Sequence, residues 1–190
     1  MRRISAADGL SLEAPESVLE LDSVKEPREA SDPKQITAAL FEQQRKAVYR
    51  YLVSLGLRPQ VAGEVTQDCF LRLYRHLRSN GNSENLRGWV FRVAHNLAMN
   101  ELKRGGAAVD APEMEADPGG DPEQALLRKE RMVRMQTAIQ ALPRRQQECL
   151  HLRAEGLRYR EIAQVLGIGI SSVAESVQRA LAVLARTCHE

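Results

Sequence analysis

An acidic segment rich in glycine, proline and alanine divides this sequence into two parts. Residues 105–122 contain five acidic side chains and no basic one, and they include the pairs Gly105-Gly106 and Gly119-Gly120. A segment of this composition buries little apolar surface and is typical of a linker. The chain has 190 residues, a length that allows one ordinary domain or two small ones. We therefore expect two small domains, 36–104 and 123–190, joined by a flexible acidic linker, 105–122.

Apolar residues recur at steps of three and four in both parts, which predicts helices. Aromatic residues make up only 4% of the chain, and this low content also favours helices over a β-sandwich or barrel. Proline, glycine and asparagine mark the expected ends of the helices. The sequence thus predicts an all-α protein. Its expected boundaries are an end at Gly56, a start near Pro59, a turn at 80–83, a helix from about Asn85 to Arg104, a capped start at Asp121-Pro122-Glu123-Gln124, and a short helix between Pro143 and Gly156.

Charge is distributed unevenly along the chain. Residues 36–104 hold eleven basic and five acidic side chains, and residues 123–190 hold eleven and seven. The first 35 residues hold five and eight and, with three prolines, are predicted to form a poorly ordered acidic extension, 1–35. Two basic domains on an acidic tether suggest a polyanion that is bound at two places. Solvated faces that happen to be basic remain the alternative.

Several classes of protein are disfavoured by what the sequence lacks. No apolar run approaches the roughly 18 residues of a membrane span, and the first residues lack the apolar stretch of a signal peptide. Cys69, Cys149 and Cys188 are far apart in sequence, so we expect neither a disulfide scaffold nor a zinc site. No nucleophile–base pair or phosphate-binding glycine loop is visible. We expect a cytoplasmic protein without membrane insertion, metal or other cofactor, and not an enzyme.

Residues 159–177 carry the pattern of a helix-turn-helix. Two helices that cross steeply need a small residue at their contact, which Ala163 provides, and Gly167 permits the left-handed backbone of a tight turn. We expect Ser171 to cap the second helix, whose N-terminal end would enter the major groove of DNA. A plain helical hairpin is the structural alternative. The outward positions of the second helix are Ser172, Glu175, Ser176 and Arg179.

The predicted third helix presents a polar face suited to nucleic acid. Arg92, Asn96, Asn100 and Lys103 follow one another at steps of four, four and three, so they share a face. Their charges suit phosphates and their amides suit base edges. Trp89 at the upstream end of this face is interpreted either as a base-stacking wedge or as a core residue. His95 is interpreted as a further DNA contact or as a solvated histidine.

Together, these segments resemble one family. Residues 61–75 (Val61-Ala62-Gly63 to Leu73-Tyr74-Arg75) resemble the most recognisable helix of bacterial sigma factors. Residues 85–98 resemble the promoter-melting and minus-ten-reading segment of the small, two-domain sigma factors of the extracytoplasmic-function group. The helix-turn-helix is similar to their minus-thirty-five-reading domain. The resemblance covers about 36–104 and 123–186, in the right order and with a linker of the right kind.

The resemblance implies a function and partners. It implies that the second helix docks on the clamp coiled coil of the largest subunit of core RNA polymerase, that promoter DNA is the other ligand, and that an anti-sigma factor is a possible partner. It implies that the 80–85 loop captures a flipped base. The recognition helix departs from the family, which usually has basic residues where Ala174 and Ser176 stand. The implied polymerase-binding residues are Glu64, Gln67, Asp68, Arg72 and Arg75. The implied DNA-binding residues are Trp89, Arg92, His95, Asn96, Asn100, Lys103, Ser171, Ser172, Glu175, Ser176 and Arg179.

Two other classes of function are compatible with the same residues. A stand-alone helix-turn-helix regulator would use 36–104 for sensing or dimerisation, and would bind duplex DNA without polymerase. A protein-interaction adaptor would bind only protein partners through its helices. Run-off transcription with core polymerase, with and without the protein, separates these interpretations from that of an initiation factor.

Overall fold

The computed structural model describes residues 32–79, 81–105 and 122–189, and this part of the chain consists of seven helices and no strand. The all-α prediction is therefore confirmed. The linker residues 106–121 and the first 31 residues lie outside the described part. The helices are α1 (Pro33–Ser54), α2 (Pro59–Arg78), α3 (Leu86–Lys103), α4 (Pro122–Gln140), α5 (Arg144–Ala154), α6 (Tyr159–Leu166) and α7 (Ile170–His189).

The first helix begins earlier than the sequence indicated. Pro33 occupies its first position, and the Asp32 carboxylate accepts a hydrogen bond from the backbone N–H of Lys34 at 3.0 Å. This local cap moves residues 33–35 from the expected extension into a helix. At the other end, Gly56 has a φ of +97°, as expected of a residue that follows a helix.

Aromatic contacts join the first three helices. Phe41 of α1 meets Phe70 of α2 edge to face, with ring centroids 5.0 Å apart. The ring centroids of Tyr51 of α1 and Phe91 of α3 are 5.7 Å apart, in a tilted arrangement. Edge-to-face and tilted pairs of this kind add to the stabilisation from apolar burial. The predicted start of α2 at Pro59 is confirmed, and the three helices enclose a common core.

A tightly bonded turn leads into α3. Asn85 adopts a left-handed conformation, with a φ of +48°, and its Oδ1 accepts a hydrogen bond from the N–H of Gly88 at 3.1 Å. A side chain at Gly88 would lie 2.5 Å from the Asn85 amide nitrogen, so any larger residue would displace the capping side chain. The α3 start predicted near Asn85 is confirmed, and its buried face comprises Val90, Phe91, Ala94 and Ala98.

In the C-terminal part, α4 buries little of its apolar surface. Its start at Pro122 agrees with the prediction, whereas the Asp121 cap lies outside the described residues. Leu127 and Met132 are 48% and 41% exposed, and Leu142, which follows the end of the helix, is buried. The short helix predicted between Pro143 and Gly156 is confirmed as α5, with Pro143 as its N-cap.

Helices α6 and α7 form the expected helix-turn-helix, with a bend of 105° between them. Gly167 has a φ of +65°, and Ala163 and Val173 are buried at the contact. The expected cap at Ser171 is wrong, because α7 already begins at Ile170 and Ser171 lies in its first turn. No single described helix is long and apolar enough to cross a membrane; only the bent α6–α7 pair meets that criterion jointly.

The two groups of helices are in direct contact and share one buried cluster. The guanidinium of Arg50 on α1 donates two hydrogen bonds to the Glu155 carboxylate, one of them at 3.0 Å. Arg87 of α3 donates to the backbone carbonyl of Glu155 and to that of Gly156. Since helix carbonyls carry partial negative charge at a C-terminus, the end of α5 is a favourable place for a cation. The end of α5 thereby joins α1 and α3.

Candidate nucleic-acid interface

The polar face of α3 is exposed as the helical spacing predicted. Arg92, Asn96, Asn100 and Lys103 are all exposed, because the opposite side of the helix carries the buried residues. Arg92 and Lys103 form no ion pair with any residue that the structure describes. Two unneutralised cations alongside two amides can bind phosphates and hydrogen-bond to bases.

Trp89 lies beside this face at its N-terminal end and is half-buried. Its indole stacks on the imidazole of His76, with centroids 4.8 Å apart and planes inclined by 21°. The Trp89 side chain is thus neither a fully buried core residue nor an isolated surface group. His76 belongs to α2 and was not identified from the sequence, where no local pattern links it to Trp89.

His95 is on α3 but contacts α1 with its side chain. Its Nδ1 is 2.9 Å from the hydroxyl of the buried Tyr51, and the two rings stack. Desolvation lowers the pKa of His95, opposed by Glu148 and assisted by Arg144 and Arg145 of α5. The imidazole is therefore neutral at physiological pH and faces α1 and α5, although the sequence placed it among the DNA contacts.

On α7, the recognition helix, the expected outward positions are mostly exposed. Ser171, Ser172, Glu175 and Arg179 are exposed, whereas Ser176 is half-buried and donates its hydroxyl to the Ser172 carbonyl at 2.7 Å. The guanidinium of Arg179 is 3.2 Å from the Glu175 carboxylate. The main cation of this face is thereby paired with an acid on the same helix.

Another polar surface runs along α2. Glu64, Gln67, Arg72 and Arg75 are exposed and Asp68 is half-exposed, so the structure brings all five expected polymerase contacts to one side of the helix. Asp68 and Arg72 form an ion pair at 3.0 Å. Leu71 lies among them and is 56% exposed; an apolar residue on a polar stripe is the signal that could have identified it.

A groove between α1 and α2 adjoins this surface. It has a volume of about 440 Å³, and Gln67 is at its edge. Its wall combines apolar with cationic groups, since Phe41 and Tyr49 lie next to Arg45 and Lys46. The guanidinium of Arg45 sits 5.5 Å from the centre of the Phe41 ring. The α2 surface therefore continues into a partly apolar recess.

Reactive and metal-binding chemistry has little support in the described residues. No group of three or more His, Cys, Asp or Glu side chains in this part is placed to hold a metal ion. Burial raises the pKa of the Cys69 thiol to about 12 and also raises that of Cys149. Both thiols are thus protonated at neutral pH and weakly nucleophilic.

Two sequence-family profiles match this chain. The family described as Sigma-70 region 2 matches residues 40–107, which include α2 and α3. The family described as Sigma-70, region 4 matches residues 132–184, which include α5 and α6. The matched segments contain the polar faces of α2, α3 and α7.

Several characterised relatives are similar to the chain. The RNA polymerase sigma-H factor of Pseudomonas aeruginosa is 33% identical over 134 residues, which are 64% of this chain and 69% of that protein. The ECF RNA polymerase sigma-E factor of Escherichia coli is 31% identical over 130 residues, or 62% and 68% of the two chains. The ECF RNA polymerase sigma factor BldN of Streptomyces coelicolor is 28% identical over 157 residues, 77% of this chain and 58% of that longer protein.

Two solved structures have the same fold. RpoE of Bartonella quintana, in a complex with the anti-sigma factor NepR, has a TM-score of 0.63 at 19% identity, covering 82% of this chain and 98% of that one. CnrH, in a complex with the cytosolic domain of CnrY, has a TM-score of 0.59 at 23% identity, with coverages of 84% and 92%. The sequence matches favour an initiation factor over a stand-alone regulator or an adaptor.

Proposed function

Because this chain belongs to the sigma-70 family, in its extracytoplasmic-function group, and directs transcription initiation as a sigma factor, we propose how its helices divide that task. In the proposal, α2 binds core RNA polymerase, α3 opens and reads the minus-ten element, and α7 contacts the minus-thirty-five element. The observation that carries the proposal is the exposed α3 face, where Arg92 and Lys103 have no ion-pair partner among the described residues and lie on the same helix as a half-buried Trp89.

The α3 face combines three types of contact to DNA. Arg92 and Lys103 neutralise phosphates of the melted region, which holds the strand in register without reading it. Asn96 and Asn100 offer amide groups to base edges. Trp89 provides a surface for an unpaired base, and such stacking is worth about 1–3 kcal/mol per base. A base extruded from the duplex is stabilised by contacts of this kind.

The recognition helix contributes less in this proposal. Ser171, Ser172 and Ser176 offer single hydroxyl contacts, and the Ser176 hydroxyl already bonds to the Ser172 carbonyl. Glu175 can accept a hydrogen bond from a cytosine amino group, while it also pairs with Arg179. Each cation that is paired within the protein releases fewer counterions from DNA. We therefore assign most of the promoter discrimination to α3.

The polymerase-binding surface is proposed to be the exposed side of α2. Glu64, Gln67, Asp68, Arg72 and Arg75 supply polar contacts that set orientation, and Leu71 supplies an exposed apolar contact at the centre. A central apolar residue surrounded by polar ones is the usual anatomy of a protein interface. The partner is the clamp coiled coil of the largest polymerase subunit.

The cellular setting follows from that partner. We propose that the protein works in the cytoplasm, where RNA polymerase transcribes, and that it is not an enzyme itself. RpoE and CnrH were each solved with a second protein, named an anti-sigma factor in the first case. We propose that an anti-sigma factor likewise regulates this chain. The domains proposed are those expected from the sequence, 36–104 and 123–190 with 105–122 as the linker, extended to Pro33 and Pro122, where α1 and α4 begin.

Run-off transcription with purified core polymerase tests this function. The templates are a library of duplexes with a randomised upstream region, and sequencing of the transcribed templates recovers the promoter. We expect a transcript only when the protein is added, and we expect Asn96→Ala to change which downstream sequences are recovered. Gln136→Ala on α4, away from the proposed surfaces, serves as the control. Equal transcription by core polymerase with and without the protein would contradict the proposal. Recovery of the same promoter by Asn96→Ala and Gln136→Ala would contradict it as well.

A further inference from the structure

His76 connects three elements beside the proposed DNA-binding face of α3: the end of α2, the loop that follows it and Trp89. It lies in the last turn of α2, and its ring stacks on Trp89 of α3. Its Nε2 is 3.2 Å from the backbone carbonyl oxygen of Asn82, and the ring N–H donates a hydrogen bond to that oxygen. Its own carbonyl accepts a hydrogen bond from the N–H of Gly81 at 2.9 Å. One residue therefore holds the helix end, the loop and the indole together.

The loop approaches the His76 ring so closely that a side chain at residue 81 would displace the ring. A Cβ at Gly81 would overlap Cε1 of His76 and would lie 2.5 Å from both ring nitrogens. The imidazole consequently has the loop backbone on one side and the Trp89 indole on another. A ring confined in this way has little freedom to rotate, and neither does the indole that stacks on it.

The loop itself is fixed by further hydrogen bonds. Oδ1 of Asn82 accepts from the N–H of Glu84 at 2.8 Å, and Asn85 caps α3 through Gly88. The loop and Trp89 are thus two ends of one bonded unit, whose centre is His76. Preorganised groups bind a ligand more tightly than mobile ones, because less conformational entropy is lost on binding.

We propose that His76 is a positioning residue for promoter opening. By stacking on Trp89 and bonding to Asn82, it holds the indole beside the loop in the orientation that receives an unpaired base of the promoter. The proposal rests on the proposed role of Trp89 as a DNA contact. His76 itself does not touch DNA in it, and it acts through the orientation of the indole.

A first experiment measures the indole in the free protein. Trp89 is the only tryptophan of the chain, so fluorescence reports on it alone. His76→Phe keeps an aromatic ring for stacking and loses the hydrogen bond to Asn82; His76→Gln keeps an amide donor and loses the ring. We expect faster anisotropy decay and stronger acrylamide quenching in His76→Gln and His76→Ala, and near-native values in His76→Phe. Unchanged indole mobility in His76→Ala would overturn the proposal.

A second experiment measures opening of the promoter recovered from the template library, with 2-aminopurine in the minus-ten region as the probe. We expect His76→Ala holoenzyme to form open complexes about tenfold less efficiently, which is the loss expected for one weakened stacking contact. His76→Phe is expected to restore most of it. Gly81→Ala, which displaces the ring without changing it, is expected to act like His76→Ala. Ser79→Ala, whose hydroxyl donates to the His76 carbonyl, is the matched control at the same helix end.

Combination with Trp89→Ala separates this inference from the proposed function. If His76 acts through the indole, His76→Ala has no further effect on opening in the Trp89→Ala protein. An equal loss in both backgrounds would overturn the positioning role, and so would a loss in Trp89→Ala without one in His76→Ala. No loss in Trp89→Ala would instead overturn the DNA contact of Trp89 itself and, with it, the role of His76 in opening. Circular dichroism of each variant establishes that α2 and α3 are folded.

Discussion

The exposed faces of α3 and α7 differ in how their cations are used. On α3, Arg92 and Lys103 form no ion pair with any described residue, and amides lie between them. On α7, Arg179 is paired with Glu175 at 3.2 Å, and the other outward positions near the N-terminal end of the helix are serines. Both helices are exposed and similar in length, so length and exposure do not account for the difference. The charge available to DNA therefore depends on which cations are paired within the protein.

The largest effect is expected from charge reversal on α3. Arg92→Glu with Lys103→Glu should weaken the promoter complex roughly 100-fold near 0.15 M salt, since each lost phosphate contact costs on the order of 1.4 kcal/mol. The salt dependence should become shallower by about two counterions. The measurement is a titration of holoenzyme on the promoter at several salt concentrations. Arg179→Glu is the matched reversal on α7 and should cost less than about tenfold. A larger loss of affinity from Arg179→Glu than from the α3 double variant would show that α7 contributes more charge to DNA binding than α3.

A smaller effect, and one on a different partner, is expected on α2. Asp68→Arg should weaken the complex with core polymerase roughly tenfold, because it reverses a charge within the proposed docking surface, beside Arg72. Glu42→Arg on α1, which also removes an exposed ion-pair acid, is the control. Fluorescence polarisation of labelled protein titrated with core polymerase measures both. If Asp68→Arg binds polymerase normally, the docking surface lies elsewhere. A loss of promoter binding in the α3 variants could then reflect weaker binding to polymerase.

Removal of the acid from α7 tests whether its pairing with Arg179 limits DNA binding. Glu175→Gln releases Arg179 and removes a charge that repels phosphates, so the upstream element should bind about two- to fivefold more tightly. The binding of duplexes that carry only the minus-thirty-five element measures this. A loss of affinity confined to sites with cytosine at one position would show that Glu175 reads that base. In that case the Glu175–Arg179 pair would serve recognition and not merely neutralise the cation.

The contact between the two groups of helices, where Arg50 and Arg87 bond to the end of α5, is here called the seam, and it offers a test of stability. Glu155→Ala removes the partner of Arg50, and we expect a decrease of about 1 kcal/mol in the free energy of unfolding, since Arg50 is largely exposed and partly screened. Arg104→Ala, which removes a fully local pair with Glu101, should cost less. Urea unfolding monitored by circular dichroism compares the two. An effect of Glu155→Ala no greater than that of Arg104→Ala would mean that the seam contributes little stability.

Local signals in the sequence predicted much of the fold. Proline at the first position of α2, Gly56 and Gly167 after helices, and Asn85 before α3 each act within a few residues, so their effects can be inferred without tertiary structure. The exposed face of α3 was likewise predicted, because helical spacing alone determines which residues share a side. The Glu175–Arg179 pair could also have been inferred from its spacing of four.

Contacts between distant segments could not be predicted in this way. His95 is adjacent to Asn96 in sequence, yet its ring bonds to Tyr51, and nothing local to α3 indicates that partner. The stack of His76 on Trp89 depends on the path of the loop between them. The bonds from Arg50 and Arg87 to the end of α5 join residues 105 and 68 positions apart. Such contacts arise from packing, and periodicity contains no information about them.

The last and smallest effect concerns His95, which lies on α3 but outside its charged face. Burial lowers its pKa below the ordinary value of 6.5, so the unfolded chain binds a proton more readily than the folded one. The stabilisation is therefore complete above about pH 6.5 and is lost as the pH falls below it. His95→Gln should reduce the decrease in melting temperature on going from about pH 7.5 to 5.5. His151, whose pKa is also lowered by burial, should account for part of the pH dependence that remains.

Promoter affinity of His95→Gln at neutral pH should equal that of the native protein, because the imidazole contacts Tyr51. The charged groups that influence its pKa, Glu148, Arg144 and Arg145, belong to α5. A clear loss of promoter affinity with unchanged stability would place His95 among the DNA contacts and extend the charged face of α3 to its flank.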